Sequence, residues 1–135
     1  METLPILSLE HRKALVVGGA GGGIGSAITH SLSQAGAHVT VITNDTSHAD
    51  SVHSEAEGRG HDISCHITDV TDLKAFTKTI DDVIASNGSI HHLVNVVGGA
   101  EVSDWSRAKD YELEMFDRIM TRNPVSYTHL RAHET

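Results

Sequence analysis

The chain has 135 residues, 10 Lys and Arg against 18 Asp and Glu, and a net charge of −8. Its 39% apolar and 21% charged residues exclude a disordered or fibrous chain, and the acidic excess argues against nucleic acid, which is held by clustered Lys and Arg. The lone Cys65 excludes a disulfide framework and a Cys-based zinc site. No apolar run approaches the ~20 residues of a membrane span, and METLPILSLEHRK lacks the order of a signal peptide. The expectation is one acidic, soluble, cytoplasmic domain with no membrane partner.

Ala14 to Val17 is a short apolar run that follows charged residues and ends in glycines, so it predicts a buried strand. Ile24, Ala27, Ile28, Leu32 and Ala35 then recur at helical spacing until Gly36. Val39, Val41 and Ile42 predict a second strand, ended by Asn44-Asp45. Thr46 to Glu57 is polar and helix-compatible, closed by Gly58 and Gly60. Ile63 to Ile67 predicts a third strand. Thr71 can cap a helix, with Asp72 favourable in its first turn, that carries Leu73, Phe76, Ile80, Val83 and Ile84 on one stripe and ends at Asn87-Gly88. Leu93 to Val97 predicts a fourth strand. A loop with Trp105, expected to pack or else to line a substrate cleft, leads to a last helix marked by Leu113, Phe116, Ile119 and Met120. The alternation predicts an α/β fold: a Rossmann-type doubly wound parallel sheet, stopping after about four strands, with helices on both faces.

Residues 124–135 break this pattern. Val125 to Thr135, VSYTHLRAHET, resembles the translation of a transposon-type sequencing adapter, residue for residue. The expectation is therefore an incomplete nucleotide-binding domain over residues 1–123 and a non-native tail over residues 124–135.

The strongest chemical signal is Gly18-Gly19-Ala20-Gly21-Gly22-Gly23-Ile24-Gly25. Glycines let a backbone turn sharply and approach a pyrophosphate without a Cβ in the way. A helix that starts there offers free N–H groups and its positive dipole end. The motif follows a predicted strand and opens a predicted helix, the context that gives it meaning. No Lys follows, which disfavours a triphosphate-binding loop.

With these residues the chain resembles a short-chain dehydrogenase/reductase. Gly19, Gly23 and Gly25 match the glycines of the family pattern TGxxxGxG, with Gly18 in place of the Thr. Asp69-Val70 resembles the Asp-Val pair that contacts adenine. Asn95-Val96-Val97-Gly98 resembles Asn-Asn-Ala-Gly with its middle changed. Phe116 to Asn123 resembles the helix ending in the family's structural and catalytic Asn. The resemblance covers residues 10–123. It implies a nicotinamide cofactor held by Gly19, Gly22, Gly23, Ile24, Gly25, Thr43, Asn44, Asp45, Asp69, Val70, Asn95 and Gly98, with Asn123 as a catalytic-site residue. It also implies a small carbonyl or alcohol substrate and a homo-oligomeric full-length parent.

The cofactor is NAD or NADP, with a lean to NAD. Family spacing puts the selecting positions at Thr43 and Asn44, neither charged in the usual way. Asp45, about twenty residues after Gly25, could reach the ribose or could cap the following helix. No Lys or Arg lies between Lys13 and Arg59 to meet a 2′-phosphate. Catalysis in the family rests on a Ser and a Tyr-x-x-x-Lys pair beyond the Asn. Tyr127 and Arg131 imitate the pair but lie in the suspected tail and are rejected, so the chain itself is expected to be inactive. A nonenzymatic redox-sensing module of the same fold is the competing reading. The 11 His lack ligand spacing, so no metal site is expected, and Cys65 reads as a small packed residue.

Overall fold

The structure is a computed structural model and describes residues 7–98 and 105–125. It divides into two units, one ending at Val96 and the other beginning at Val97.

The first unit alternates strand and helix: β1 (Lys13–Val17), α1 (Ile24–Gln34), β2 (His38–Thr43), α2 (Thr46–Gly58), β3 (Ile63–Ile67), α3 (Leu73–Asn87) and β4 (His92–Asn95). The strands form one four-stranded sheet in the order β3-β2-β1-β4. Every pairing is parallel: Val16 lies opposite Val41 and Val94, and Val41 opposite Cys65. The central strands are apolar on both faces because both faces are covered, as parallel sheets require. Ala14, Val16, Val39, Val41 and Ile63 build one core with Ala56 of α2, and Ile28 and Leu32 of α1 pack against it. On α3, Phe76, Ile80 and Val83 are the buried residues, and Asn87 at its end donates from Nδ2 to Thr40 Oγ1 of β2 at 3.1 Å. Thr40 alternates with Val39 and Val41, so α3 covers the opposite face.

Three local expectations are corrected. The cap of α3 is Asp72, whose carboxylate accepts from the Ala75 N–H at 3.0 Å; Thr71 instead bonds to Asp69 within the preceding turn. The fourth strand stops at Asn95, although the Val96 N–H still donates to the Val17 carbonyl at 2.8 Å. The apolar stripe of α1 holds only at Ile28 and Leu32, which pack against the core: Ile24 is 73% exposed, and the buried residues are Gly25, Thr29, His30 and Ser33. Gly25 and Thr29 are buried because the helix start lies against the preceding loop at Gly18 and Gly19.

The second unit holds a 3-10 turn at Ala108–Asp110, α4 (Leu113–Met120) and a π-helical turn at Thr121–Val125. Pro124 lacks the N–H that an α-helical ladder would use there. Leu113 and Phe116 are exposed, and no residue of α4 is buried. Trp105, expected to pack, is 77% exposed.

Candidate dinucleotide site

Because all strands are parallel, their carboxyl ends share one edge, and β1 lies where successive connections diverge to β2 on one side and β4 on the other. That switch point is where open α/β sheets hold ligands. The sequence-predicted residues of the first unit all fall at the strand ends on this edge, in the turns that leave it, or at the start of α1.

The first turn is the glycine loop between β1 and α1. The Gly18 N–H donates to the Ile42 carbonyl at 2.8 Å, tying the loop to β2. Gly18, Gly21 and Gly22 have φ of 83°, 102° and 73°, the left-handed region that favours glycine. Gly18 thus takes a conformation that a β-branched Thr resists, and the loop's hydroxyl bond comes from elsewhere: Thr29 Oγ1 on α1 donates to the Gly19 carbonyl at 2.9 Å. Ser26 Oγ accepts from the Gly22 N–H at 2.9 Å. A Cβ on Gly25 would lie 2.0 Å from the Gly18 carbonyl oxygen, so helix and loop touch backbone to backbone. Around Gly22 and Gly23, by contrast, an added Cβ would meet nothing within 4 Å. Gly23 caps α1 without a side-chain bond, and the first turn of α1 carries no acid. The helix therefore presents its positive end to an open glycine cradle. These residues fit a pyrophosphate.

The second turn leaves β2. Thr43 is buried and its Oγ1 accepts from the Asp45 N–H at 3.4 Å, while Asn44 is exposed. Asp45 caps α2: its Oδ1 accepts from Ser47 Oγ at 2.6 Å and from the His48 N–H at 3.0 Å. The Ser47 hydroxyl first, then the His48 amide, hold this carboxyl below the usual aspartate range. The capping role that the sequence left open is thus filled. His48 was missed by the sequence reading. Its ring lies against the glycine loop, with Nδ1 only 3.2 Å from where a Cβ on Gly21 would be. Nothing in the local pattern signals this approach, because it depends on how α2 sits over a loop many residues earlier.

The third turn follows β3. Asp69 Oδ1 accepts from the Thr71 N–H at 2.9 Å and from its hydroxyl at 2.7 Å, which shapes the turn, and Val70 is buried. At the end of β4, Asn95 lies opposite Val17, immediately before the glycine loop.

In the second unit the structure brings Gly98 and Asn123 together: a Cβ on Gly98 would lie 2.7 Å from Asn123 Oδ1. The Asn123 amide donates to the Ile119 carbonyl at 2.8 Å, inside the π-helical turn, a distortion often found at functional positions. Tyr127 and Arg131 lie outside the described residues. Among the described residues no group of three or more His, Cys, Asp or Glu could hold a metal ion, and no helix is long and apolar enough to cross a membrane.

Comparison with known proteins bears on the fold and the family. The short chain dehydrogenase family matches residues 13–133. The chain is 34% identical over 112 residues to the short chain dehydrogenase/reductase nsrJ of Aspergillus novofumigatus, covering 82% of this chain and 41% of that protein. It is 34% identical over 128 residues to the versicolorin reductase stcU of Emericella nidulans, covering 88% of this chain and 47% of that one. Among solved structures, the citronellol catabolism dehydrogenase AtuB of Pseudomonas aeruginosa superposes with a TM-score of 0.84 at 26% identity, over 96% of this chain and 51% of that one. A hydroxysteroid dehydrogenase of Escherichia coli superposes with a TM-score of 0.79 at 29% identity, over 92% and 51%. The chain thus spans less than half the length of these two curated relatives. It carries the Rossmann-type nucleotide-binding fold of that family, and it belongs to the short chain dehydrogenases.

Proposed function

We propose that the chain is the cofactor-binding half of an NAD(P)-dependent oxidoreductase that moves a hydride between nicotinamide and a carbonyl or alcohol carbon of a small molecule. The observation that carries the reading is the start of α1, which has no side-chain cap and no acid, behind a glycine cradle with room for an anion. Gly19, Gly22, Gly23, Ile24 and Gly25 would hold the pyrophosphate. The exposed apolar side chain of Ile24 would cover one side of the cofactor. Asp45, with Thr43 and Asn44, would meet the adenosine ribose, and Asp69-Val70 would flank the adenine. Asn95 and Gly98 belong to the fourth-strand motif, and Asn123 would complete the catalytic group. Bound nicotinamide would supply or accept the hydride. A proton donor on the substrate oxygen is still needed, and the family's Tyr-x-x-x-Lys would provide it from sequence beyond Asn123.

The preferred cofactor in this reading is NAD. The Asp45 carboxylate, at the end of β2, favours a ribose hydroxyl over a 2′-phosphate, and no Lys or Arg lies between Lys13 and Arg59 to meet the phosphate. The nonenzymatic alternative is not favoured, because the relatives described above are named as dehydrogenases and reductases. Residues 124–135 are, in this reading, a non-native tail. The family match itself runs on past Asn123 to residue 133, so resequencing the locus is what tests the junction.

The test has two parts. The genomic sequence downstream of Asn123 should encode a Tyr-x-x-x-Lys pair. The full-length protein should bind NADH more tightly than NADPH in a fluorescence titration. Absence of the pair would overturn the enzyme reading, and tighter NADPH binding would overturn the choice of NAD.

A further inference from the structure

We propose that Thr29 is a positioning residue of the pyrophosphate cradle: its hydroxyl, acting through the Gly19 carbonyl, sets the loop conformation in which the Gly22–Gly23 turn can receive an anion. This rests on the dinucleotide reading above and adds a residue to it.

The loop cannot fix its own shape. From Gly18 to Gly23 its only side chain is the methyl of Ala20. Gly18, Gly21 and Gly22 sit in the left-handed region, and glycine loses more conformational freedom on ordering than any other residue. The shape must therefore be imposed by neighbours. On the strand side, the Ile42 carbonyl accepts from the Gly18 N–H. On the helix side two hydroxyls of α1 reach back, and they differ in kind.

Ser26 meets the Gly22 N–H at an exposed position, where water or an arriving anion competes for the same donor. Thr29 is fully buried, at 0% exposure, and its bond to the Gly19 carbonyl is buried with it. A buried carbonyl that loses its donor keeps the full desolvation penalty. The fit is also close: a Cβ on Gly19 would come within 2.7 Å of Thr29 Oγ1. One hydroxyl and one missing Cβ together fix the spacing between loop and helix. Packing alone does not call for a hydroxyl on this inner face of α1, and a Val has nearly the same shape.

The test compares Thr29→Val and Thr29→Ser in the full-length protein. NADH affinity is read by fluorescence titration well below the unfolding midpoint of every variant, and thermal unfolding is recorded in parallel. Thr29→Val keeps the shape and removes the donor, so it should weaken NADH binding about tenfold, as misplacement of a preorganised group does. Thr29→Ser keeps the donor and should stay within about threefold of the parent. A lower midpoint for Thr29→Val with unchanged NADH affinity would make the residue structural only and overturn the proposal. So would equal losses in the two variants. If the parent protein binds neither NADH nor NADPH, the dinucleotide reading falls and this proposal with it; if the parent binds and Thr29→Val binds equally well, only the role of Thr29 falls.

Discussion

Two glycines two residues apart should respond in opposite ways to the same methyl group. At Gly25 an added Cβ would lie 2.0 Å from the Gly18 carbonyl oxygen and 3.1 Å from the Gly19 Cα. Ordinary contact begins near 3.4 Å, so the loop and the helix start would have to separate by about 1.4 Å. Neither partner is a flexible side chain that could swing away. Overpacking of this kind costs roughly 1–3 kcal/mol, and more where backbone must move. We expect Gly25→Ala to lose about 3 kcal/mol, a large share of the ~5–15 kcal/mol that holds a domain. At Gly23 the same methyl meets nothing within 4 Å, and the change should cost at most about 1 kcal/mol, chiefly as a poorer cap for α1. The open space that makes Gly23→Ala harmless to the fold is the space assigned to the pyrophosphate. Its NADH affinity should fall at least tenfold, and a bulkier side chain should abolish binding. Urea unfolding and NADH titration of both variants in the full-length protein check the pair. Gly25→Ala with parental stability would refute the steric argument. Gly23→Ala or a bulkier variant with parental affinity would refute the placement of the cofactor.

Further outcomes follow from the cap, the thiol and the extent of the chain. The Asp45 carboxyl is held below its ordinary range in the folded state, so its contribution to stability is present above the unfolded value and is lost as pH falls through the folded one. Asp45→Ala should lower the unfolding midpoint at neutral pH and flatten the acid side of the stability profile; an unchanged acid limb would contradict the capping role. Burial first, and Asp50 second, push the Cys65 thiol up, so iodoacetamide near pH ~8 should modify it more slowly in the folded chain than in urea. Residues 1–135 expressed alone should show no nicotinamide-dependent carbonyl reduction and should unfold broadly; a sharp reversible transition with turnover that depends on Tyr127 would reverse the rejection of that residue.

The fold was legible because its signals are local. Apolar runs such as Ala14–Val17 and the glycines that end them punctuate the chain at the same places in the structure. Of the stripe Leu73, Phe76, Ile80, Val83 and Ile84, the middle three form the buried face of α3, whereas Leu73 and Ile84, at the edges of that face, are exposed. The inner face of α1 was read in part: Ile28 and Leu32 do pack against the core, but the helix start is set by backbone approach at Gly25 and a hydroxyl at Thr29, which helical spacing of apolar residues does not signal. Residues of the site that sit on the strand ends could be named from motif order. His48 could not, because its place beside Gly21 arises only once α2 is packed. The fourth strand was overestimated since Val96 and Val97 are apolar, and apolarity does not mark where pairing ends. Trp105 shows the converse error: size and apolarity suggested packing, yet the described structure leaves the ring in solvent.

The position of β1 also carries a consequence for the order of assembly. Its pairing with β2 closes over a short stretch of chain, whereas Val16 must wait for Val94 to pair on its other side. Closing a longer loop has a greater entropic cost, and non-local pairings slow folding. The hydrogen bonds that tie the glycine loop to its neighbours, from Gly18 to Ile42 and from Thr29 to Gly19, lie within the early β1-α1-β2 stretch, and His48 of α2 is added later. During synthesis, where N-terminal parts are available first, the anion cradle can take shape before β4 has left the ribosome.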